Sequence, residues 1–382
     1  MKWLGDIVAV ALLAACCAAL WFAPAPPPLT ASTEQTTARR ARVLTVDDSS
    51  LEEHGLLKFG TQHLTVGLLE GPNKGKTFRA VNEVRAQLEL DKFFLPGDHA
   101  VVLEKEGDNP STATLVARDH WRLGWIATLF LAFCALLCLF GGWTGMKALF
   151  SFLFSCLVIW KGVIPLALRG WPASWVSFAA VCFLTAVIMY LVAGWTRKGW
   201  AAFLGSTLGV FAGLGMAHLF GRLMNINGAT MPFVQTLLYS GYESLNLQDV
   251  FIGAMILASS GAVMDLAMDI ASGIEEVARH NPSLPRRELL LSGLRIGRSV
   301  VGTMTTTLLL AYSGGYITLL MAFAAQGTRP LDFLNSTLVA SEVVKTLIGS
   351  FSLVLVAPFT ALVGAAVLAP RVPPPKAEDA ST

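Results

Sequence analysis

The chain has 382 residues, 54% of them hydrophobic and only 14% charged, with a formal net charge of +2 at pH 7. A soluble chain of this length carries about a quarter charged residues, so a purely soluble protein is excluded, and a charge so near neutrality speaks against a nucleic-acid partner. The six cysteines (Cys16, Cys17, Cys134, Cys138, Cys156, Cys182) all lie in apolar stretches, so neither a disulfide framework nor a Cys/His zinc spacing is present.

Residues 1–23 hold an apolar run, 4–23, behind Lys2, closed by Pro24–Pro28. Three readings are open: a cleaved signal peptide, a lipoprotein signal with Leu13-Ala14-Ala15 before Cys16, and an uncleaved first span. The run continues past Cys17 through Ala19-Leu20-Trp21-Phe22, long enough to cross a bilayer, which favours the third. Residues 24–40 are rich in Pro, Thr, Ser and Ala and read as a linker.

Residues 41–118 change character. Short alternating runs at Arg42–Val46, His63–Leu69, Thr77–Val81, Ala100–Glu104 and Thr112–Ala117 are separated by Gly/Pro/Asn turns. That rhythm predicts a small all-β barrel or sandwich, an oligonucleotide-binding-type barrel among the candidates. A short helix over Asn82–Leu90, capped by Asn82, is expected inside it. No aromatic platform lines a basic groove, so nucleic acid is not an expected ligand. Asp98 and His99 read as turn residues.

From Trp121 the chain is almost wholly apolar, with expected spans at 122–141, 148–168, 173–194, 199–221, 249–271, 300–323 and 346–369. These seven make a core over 122–369, and the N-terminal run brings the total to about eight. Lys2, Lys147, Arg197, Lys198, the cluster Arg279 to Arg298, Arg371 and Lys376 fall in alternate connectors, and the others hold only Arg169, Arg222 and Arg329. The positive-inside rule then puts the N-terminus in the cytoplasm and the β domain, between spans 1 and 2, outside it. Ala229–Tyr239 is too short to span and reads as re-entrant or interfacial. Lys161, beside Trp160 and Pro165, is expected to snorkel. Residues 331–345 are expected at the outer interface, unless the last helix is long, in which case Glu342 and Lys345 are immersed and can pair. Residues 370–382 are Pro-rich and charged, a disordered cytoplasmic tail.

The residues with chemical potential cluster between Asp249 and Tyr312. Asp265, Asp269, Ser272 and Glu276 follow at offsets of three and four, one stripe of a helix. A carboxylate at bilayer depth costs about 2.5–3.5 kcal/mol on insertion scales, so such residues usually face a water-filled path. Asp265 is the leading candidate for a proton or cation relay; Asp269 has a structural alternative, hydrated or paired with Arg298. The Gly302–Thr307 run offers Thr303 and Thr307 as path-lining hydroxyls or as helix-contact residues. Glu276 and His280 read as a helix-surface pair rather than as ligands of a metal shared with Asp269. Gly205, Gly209 and Gly213 repeat every four residues, a small-residue packing seam. Gly314-Gly315 and Pro358 mark places where helices break or bend. No GxSxG, HExxH or phosphate loop is present, so no enzyme is expected.

Several segments together resemble the bacterial YibE/F family of multipass membrane proteins. In the β domain they are Ala41–Val46, Gly60–Leu69, Leu88–Phe94 and Pro96-Gly97-Asp98. In the core they are Gly142–Lys147, Gly261–Asp265 through Ile270-Ala271-Ser272, Gly297-Arg298, Gly302–Leu310 with Tyr312, and Glu342 to Gly349 with Pro358. The resemblance covers nearly all of residues 40–369. It implies an extracytoplasmic β domain on a polytopic core in the bacterial inner membrane, and it carries over no activity, cofactor or catalytic residue. The family often has a small polar residue where this chain has Asp269, which leaves Asp265 favoured. The expected function is a solute or ion transporter or channel whose path includes Asp265, Asp269, Arg298, Thr303, Thr307, Glu342 and Lys345. The alternative is a non-transporting scaffold whose β domain binds an envelope partner. Expected partners are the lipid bilayer, a small solute or ion, and an envelope protein or a second copy; no cofactor and no metal is expected.

Overall fold

A computed structural model describes residues 14–19, 21–22, 36–55, 57–88, 90–105 and 113–369. Most of the expected first span, most of the linker and the C-terminal tail lie outside them; residues 14–19 and 21–22 are helical. The chain divides into two units, Thr30–Leu139 and Phe140–Thr382 with Met1–Leu29.

The first unit holds a β-barrel and the beginning of the helix that follows it. Its strands are β1 (Thr36–Asp47), β2 (Leu51–His54), β3 (Leu57–Leu68), β4 (Thr77–Arg85), β5 (His99–Lys105) and β6 (Thr114–His120). Period-two burial drives the closure: Ala41, Val43, Leu64, Val66, Leu68, Phe78, Ala80, Ala100, Val102, Leu115 and Ala117 all point inward, plugged by Phe94. The ring runs β1-β3-β4-β6-β5 and back to β1, with β4–β6 the parallel pair and β2 hairpinned on β3. This is a five-stranded Greek-key barrel of the oligonucleotide-binding type. β1 closes it by pairing β5 through its first half and β3 through its second, bent by a register shift between Val43 and Thr45.

The helix expected over Asn82–Leu90 is absent. Asn82 to Arg85 complete β4, because the alternation of Phe78 and Ala80 continues through Asn82 and Val84. Asn82 is fully buried and donates to Gln62 Oε1 (3.2 Å) and to the Lys92 carbonyl (2.6 Å). Its amide serves the core instead of capping a helix. Asp91 accepts from the backbone N–H groups of Arg85 and Gln87 and holds the following segment as a turn.

The helical part begins with α1 (Leu123–Val158), broken at Gly142, whose φ of 51° and ψ of −128° are non-helical. A π turn (Ile159–Val163) and α2 (Ile164–Leu168) extend it; Lys161 sits in that turn, just ahead of Pro165. Then come α3 (Ala173–Ala193), α4 (Arg197–Leu223), the short α5 (Val234–Tyr239), α6 (Leu247–His280), α7 (Arg286–Gly315), α8 (Ile317–Ala325), α9 (Pro330–Asn335) and α10 (Thr337–Leu368). Among the described residues, five stretches are long and apolar enough to cross a membrane, six if α7 and α8, bent by 62°, form one broken span. The bend follows Gly314-Gly315 directly.

Of the two readings of residues 331–345, the structure has the long final helix, from Thr337 onward. Helix α9 ends at Asn335, and α10 then runs unbroken for 32 residues from Thr337, with Pro358 accommodated inside it. Nothing between Thr337 and the membrane segment interrupts helical propensity, so Glu342 and Lys345 belong to the same helix as the expected span.

Helices α6 and α10 sit at the centre. Val263, Leu266, Ala267, Ile270, Ala271 and Ile274 of α6, with Leu353, Val356 and Ala361 of α10, are almost inaccessible. The glycines of α4 form the contact with α10. A Cβ on Gly209 would stand 2.9 Å from Val356 Cβ, and one on Gly205 or Gly213 would collide with Thr360 or Ser352. The seam read from the sequence is thus a close antiparallel helix crossing.

Candidate functional site

Helix α6 carries acidic residues at three levels. At its start, Asn246 caps the helix by accepting from the Asp249 N–H. The Asp249 carboxylate turns to the first turn of α3, accepting from Ser174 Oγ (2.5 Å) and the Ser174 N–H (3.1 Å). The N-terminal end of α3 is a favourable place for an anion. His218 of α4 completes the cluster, its Nε2 3.7 Å from Asp249 Oδ1 and 3.4 Å from Ser174 Oγ. Its Nδ1 lies 3.0 Å from the Leu214 carbonyl, which can only accept, so Nδ1 carries a proton. A cavity of about 100 Å³ opens here, lined by His218, Arg222, Asn246, Gln248, Asp249 and Ile252. Ser, His and Asp meet, but not as a hydrolytic relay. The carboxylate binds the serine directly and the histidine's other nitrogen faces its own helix.

Near the other end of α6, Glu275 pairs with Lys198 of α4 at 3.0 Å. Glu276 pairs with Arg279 (2.6 Å) and with His280 (3.2 Å) on the exposed helix surface. Among the described residues, no group of three or more His, Cys, Asp or Glu side chains is gathered to hold a metal.

Asp265 and Asp269 lie between these ends, both exposed at the surface of the single chain. At about 1.5 Å rise per residue, Asp265 stands ~15 Å from Glu275 and ~24 Å from Asp249. An apolar slab ~30 Å thick fits between the two ends, and Asp265 lies within it, nearer the Glu275 end. Helix α7 passes alongside in the opposite direction. A Cβ on Gly297 would meet Ile270 Cδ1 at 3.3 Å and one on Gly293 would meet Ile274 Cδ1 at 2.7 Å. Asp269 is therefore level with Arg298, and Asp265 with Gly302 and Thr303.

Arg298, Ser299, Gly302, Thr303, Thr306 and Thr307 are exposed like the two aspartates. Thr303 donates to the Val300 carbonyl (2.9 Å), Thr306 to Gly302 (3.0 Å) and Thr307 to Thr303 (2.9 Å). Each hydroxyl proton is spent on its own helix, so the oxygens turn acceptor lone pairs outward. Two carboxylates and a ladder of acceptor oxygens suit a cation or a proton, with Arg298 at one end. Of the alternatives for Asp269, the ion pair with Arg298 does not form within the chain. Among the described residues, Asp265, Asp269 and Arg298 have no hydrogen-bond or ion-pair partner.

Glu342 and Lys345 do not join this face. They pair with each other, Lys345 Nζ reaching both carboxylate oxygens at 2.7 and 2.8 Å. Gly349 of α10 packs against Ser259 of α6, and the two helices run in the same direction. Lys345 and Asp265 thus lie on opposite sides of that contact, ~15 Å apart along the helix axes. The Ser174–His218–Asp249 cluster escapes sequence reading because its members come from three helices; the one signal is His218, a lone histidine in an apolar run.

A family model described as YibE/F-like protein matches residues 129–370, well over half of the chain, and the chain belongs to that family. No curated protein and no solved structure matches it.

Proposed function

For this member of the YibE/F-like family, we propose transport of a small cation, or of a solute coupled to protons, along the outward face of α6 and α7. The observation that carries the reading is Asp265. It is a carboxylate inside the apolar stretch of α6, without a partner in its own chain, beside hydroxyl oxygens that can only accept. Leaving it in lipid costs about 2.5–3.5 kcal/mol. A hydrated path or a bound cation removes that cost. In this reading Asp265 takes up the ion or proton, Thr303 and Thr307 continue the acceptor ladder, and Asp269 with Arg298 set the field at one mouth. Glu342 and Lys345 neutralise each other elsewhere.

The full topology belongs to the same proposal. The 46-residue stretch Leu123–Leu168 is too long for one crossing and breaks at Gly142, which gives two spans. With α3, α4, α6, α7–α8 and α10 that makes seven, and the N-terminal run makes eight. The basic residues of alternate connectors support a cytoplasmic N-terminus, a β-barrel outside the cytoplasm and residence in a bacterial inner membrane.

A second reading, a scaffold that recruits an envelope partner, rests on the barrel. Its β3–β4 face carries a groove of about 420 Å³ lined by Thr45, Asp47, His63, Thr65, Arg79 and Thr114 among others, a polar surface of the kind that holds a ligand.

Flux into proteoliposomes under a pH gradient, across a panel of cations and small solutes, separates the two. Wild type is expected to pass at least one of them, and Asp265→Asn to lose at least tenfold of that flux. A flux that survives both Asp265→Asn and Asp265→Leu removes Asp265 from the path. Folded wild type that moves none of the panel favours the scaffold.

A further inference from the structure

We propose that the outward face of α6 and α7 is the surface through which two copies of this chain pair, side by side and in the same orientation. The composition of the face departs from that of the other membrane surfaces. On α4 the exposed positions include Leu204, Leu208, Phe211 and Leu219, large apolar side chains suited to lipid tails. On α6 the exposed stripe reads Ala254, Ala258, Gly261, Asp265 and Asp269. A Cβ added at Gly261 or at Gly302 meets nothing within 4 Å. Small residues admit another helix backbone closely, which is how helices associate where lipid supplies no hydrophobic drive.

The charges say which partner fits. Asp269 and Arg298 share one depth, both are exposed, and neither is paired within its own chain. A two-fold axis along the membrane normal preserves depth. Asp269 of one copy then comes opposite the partner's Arg298, and the partner's Asp269 opposite Arg298, giving two reciprocal ion pairs from one face. An isologous interface must be complementary to itself in this way; a different protein would impose no such requirement. Asp265 comes opposite the partner's Thr303, whose hydroxyl proton is turned to its own helix, so the two oxygens meet as acceptors that water or a proton can bridge. Pairing takes the carboxylates away from lipid and leaves a polar seam between the copies. The pairing does not depend on transport, and its test reads association alone.

The test uses full-length protein labelled with donor or acceptor fluorophores and reconstituted in liposomes at several lipid dilutions. Wild type is expected to show energy transfer. Asp269→Arg alone and Arg298→Asp alone are each expected to lose at least tenfold in association, because each places like charges across the axis twice. Mixing the two variants one to one restores both cross-pairs, so energy transfer is expected to return. An ion pair inside one chain could not be repaired by mixing. Gly261→Leu, which fills open space on the single chain, is expected to weaken association by a similar factor without disturbing the monomer. The proposal is overturned by a monomeric wild type, including one whose face is taken by another protein. It is equally overturned if Gly261→Leu associates as wild type does, or if the mixed charge variants fail to recover.

Discussion

The α4–α10 crossing can be tested with two alanines on one helix. In Gly209→Ala the new Cβ stands 2.9 Å from Val356 Cβ and 3.1 Å from Val356 Cα, where ordinary carbon contacts are about 3.5–4.0 Å. Val356 is fully buried on the central helix, so relief requires the two backbones to part. Such overpacking costs about 1–3 kcal/mol, offset by about 1 kcal/mol from the better helix propensity of alanine. The net expectation is a loss of ~0 to 2 kcal/mol. Gly215→Ala, six residues on, meets nothing within 4 Å and keeps only the propensity gain, about 1 kcal/mol. Gly215→Ala should therefore raise stability and Gly209→Ala should not, the two separated by the overpacking cost of ~1 to 3 kcal/mol, in reversible unfolding from mixed micelles. If Gly209→Ala stabilises the protein as Gly215→Ala does, the helices are not in contact along this seam and the crossing is wrong.

Two further outcomes follow from the polar contacts between and within helices. Asp249→Ala strands the Ser174 N–H and hydroxyl beside His218 and should cost about 3 kcal/mol, whereas Asp249→Asn keeps an acceptor and should cost about half of that; equal losses in the same unfolding assay would show that the carboxylate is not held by Ser174. Lys345→Met leaves Glu342 without its cation and should cost ~2 kcal/mol, while Glu342→Gln/Lys345→Met should recover more than half of it, since an orphaned charge costs more than a missing pair; a double variant no better than the single would mean the pair carries no coupling.

The sequence made the barrel legible because period-two alternation survives in Arg42–Val46, His63–Leu69 and Ala100–Glu104, and each run became a strand. It misled at Asn82, where a residue that favours helix caps was buried as a core hydrogen-bond donor, with Gln62 as a partner twenty residues away. It missed β2 because Leu51–His54 is short, charged and exposed on an edge, with no apolar face to register. In the helical part, length and apolarity located the elements, and four-residue glycine spacing located the α4 seam. What no local pattern could supply was the direction each polar residue faces. The stripe of Asp265 and Asp269 was visible as a stripe, but only the packing of α7 and α10 against the opposite side of α6 shows that it points away from the bundle. The same lack of long-range information grouped Glu342 and Lys345 with Asp265, although they satisfy each other about three helical turns away.

Helix α6 itself holds the argument for where function lies. Its acidic residues at either end have partners from the same chain: Asp249 has Ser174 and His218, Glu275 has Lys198. Those are the levels where water and headgroups would have made partners least necessary. Between those ends, where a charge is more costly, Asp265 has none, and the neighbouring helix offers glycine and outward hydroxyl oxygens instead of bulk. Stability alone would have placed the partners the other way round. An apolar residue at 265 would satisfy the fold, as Ala254 and Ala258 do about three and two turns earlier on the same stripe. The carboxylate therefore needs something beyond its own chain, a cation, a proton or water, and whatever satisfies it must arrive along the α6–α7 face.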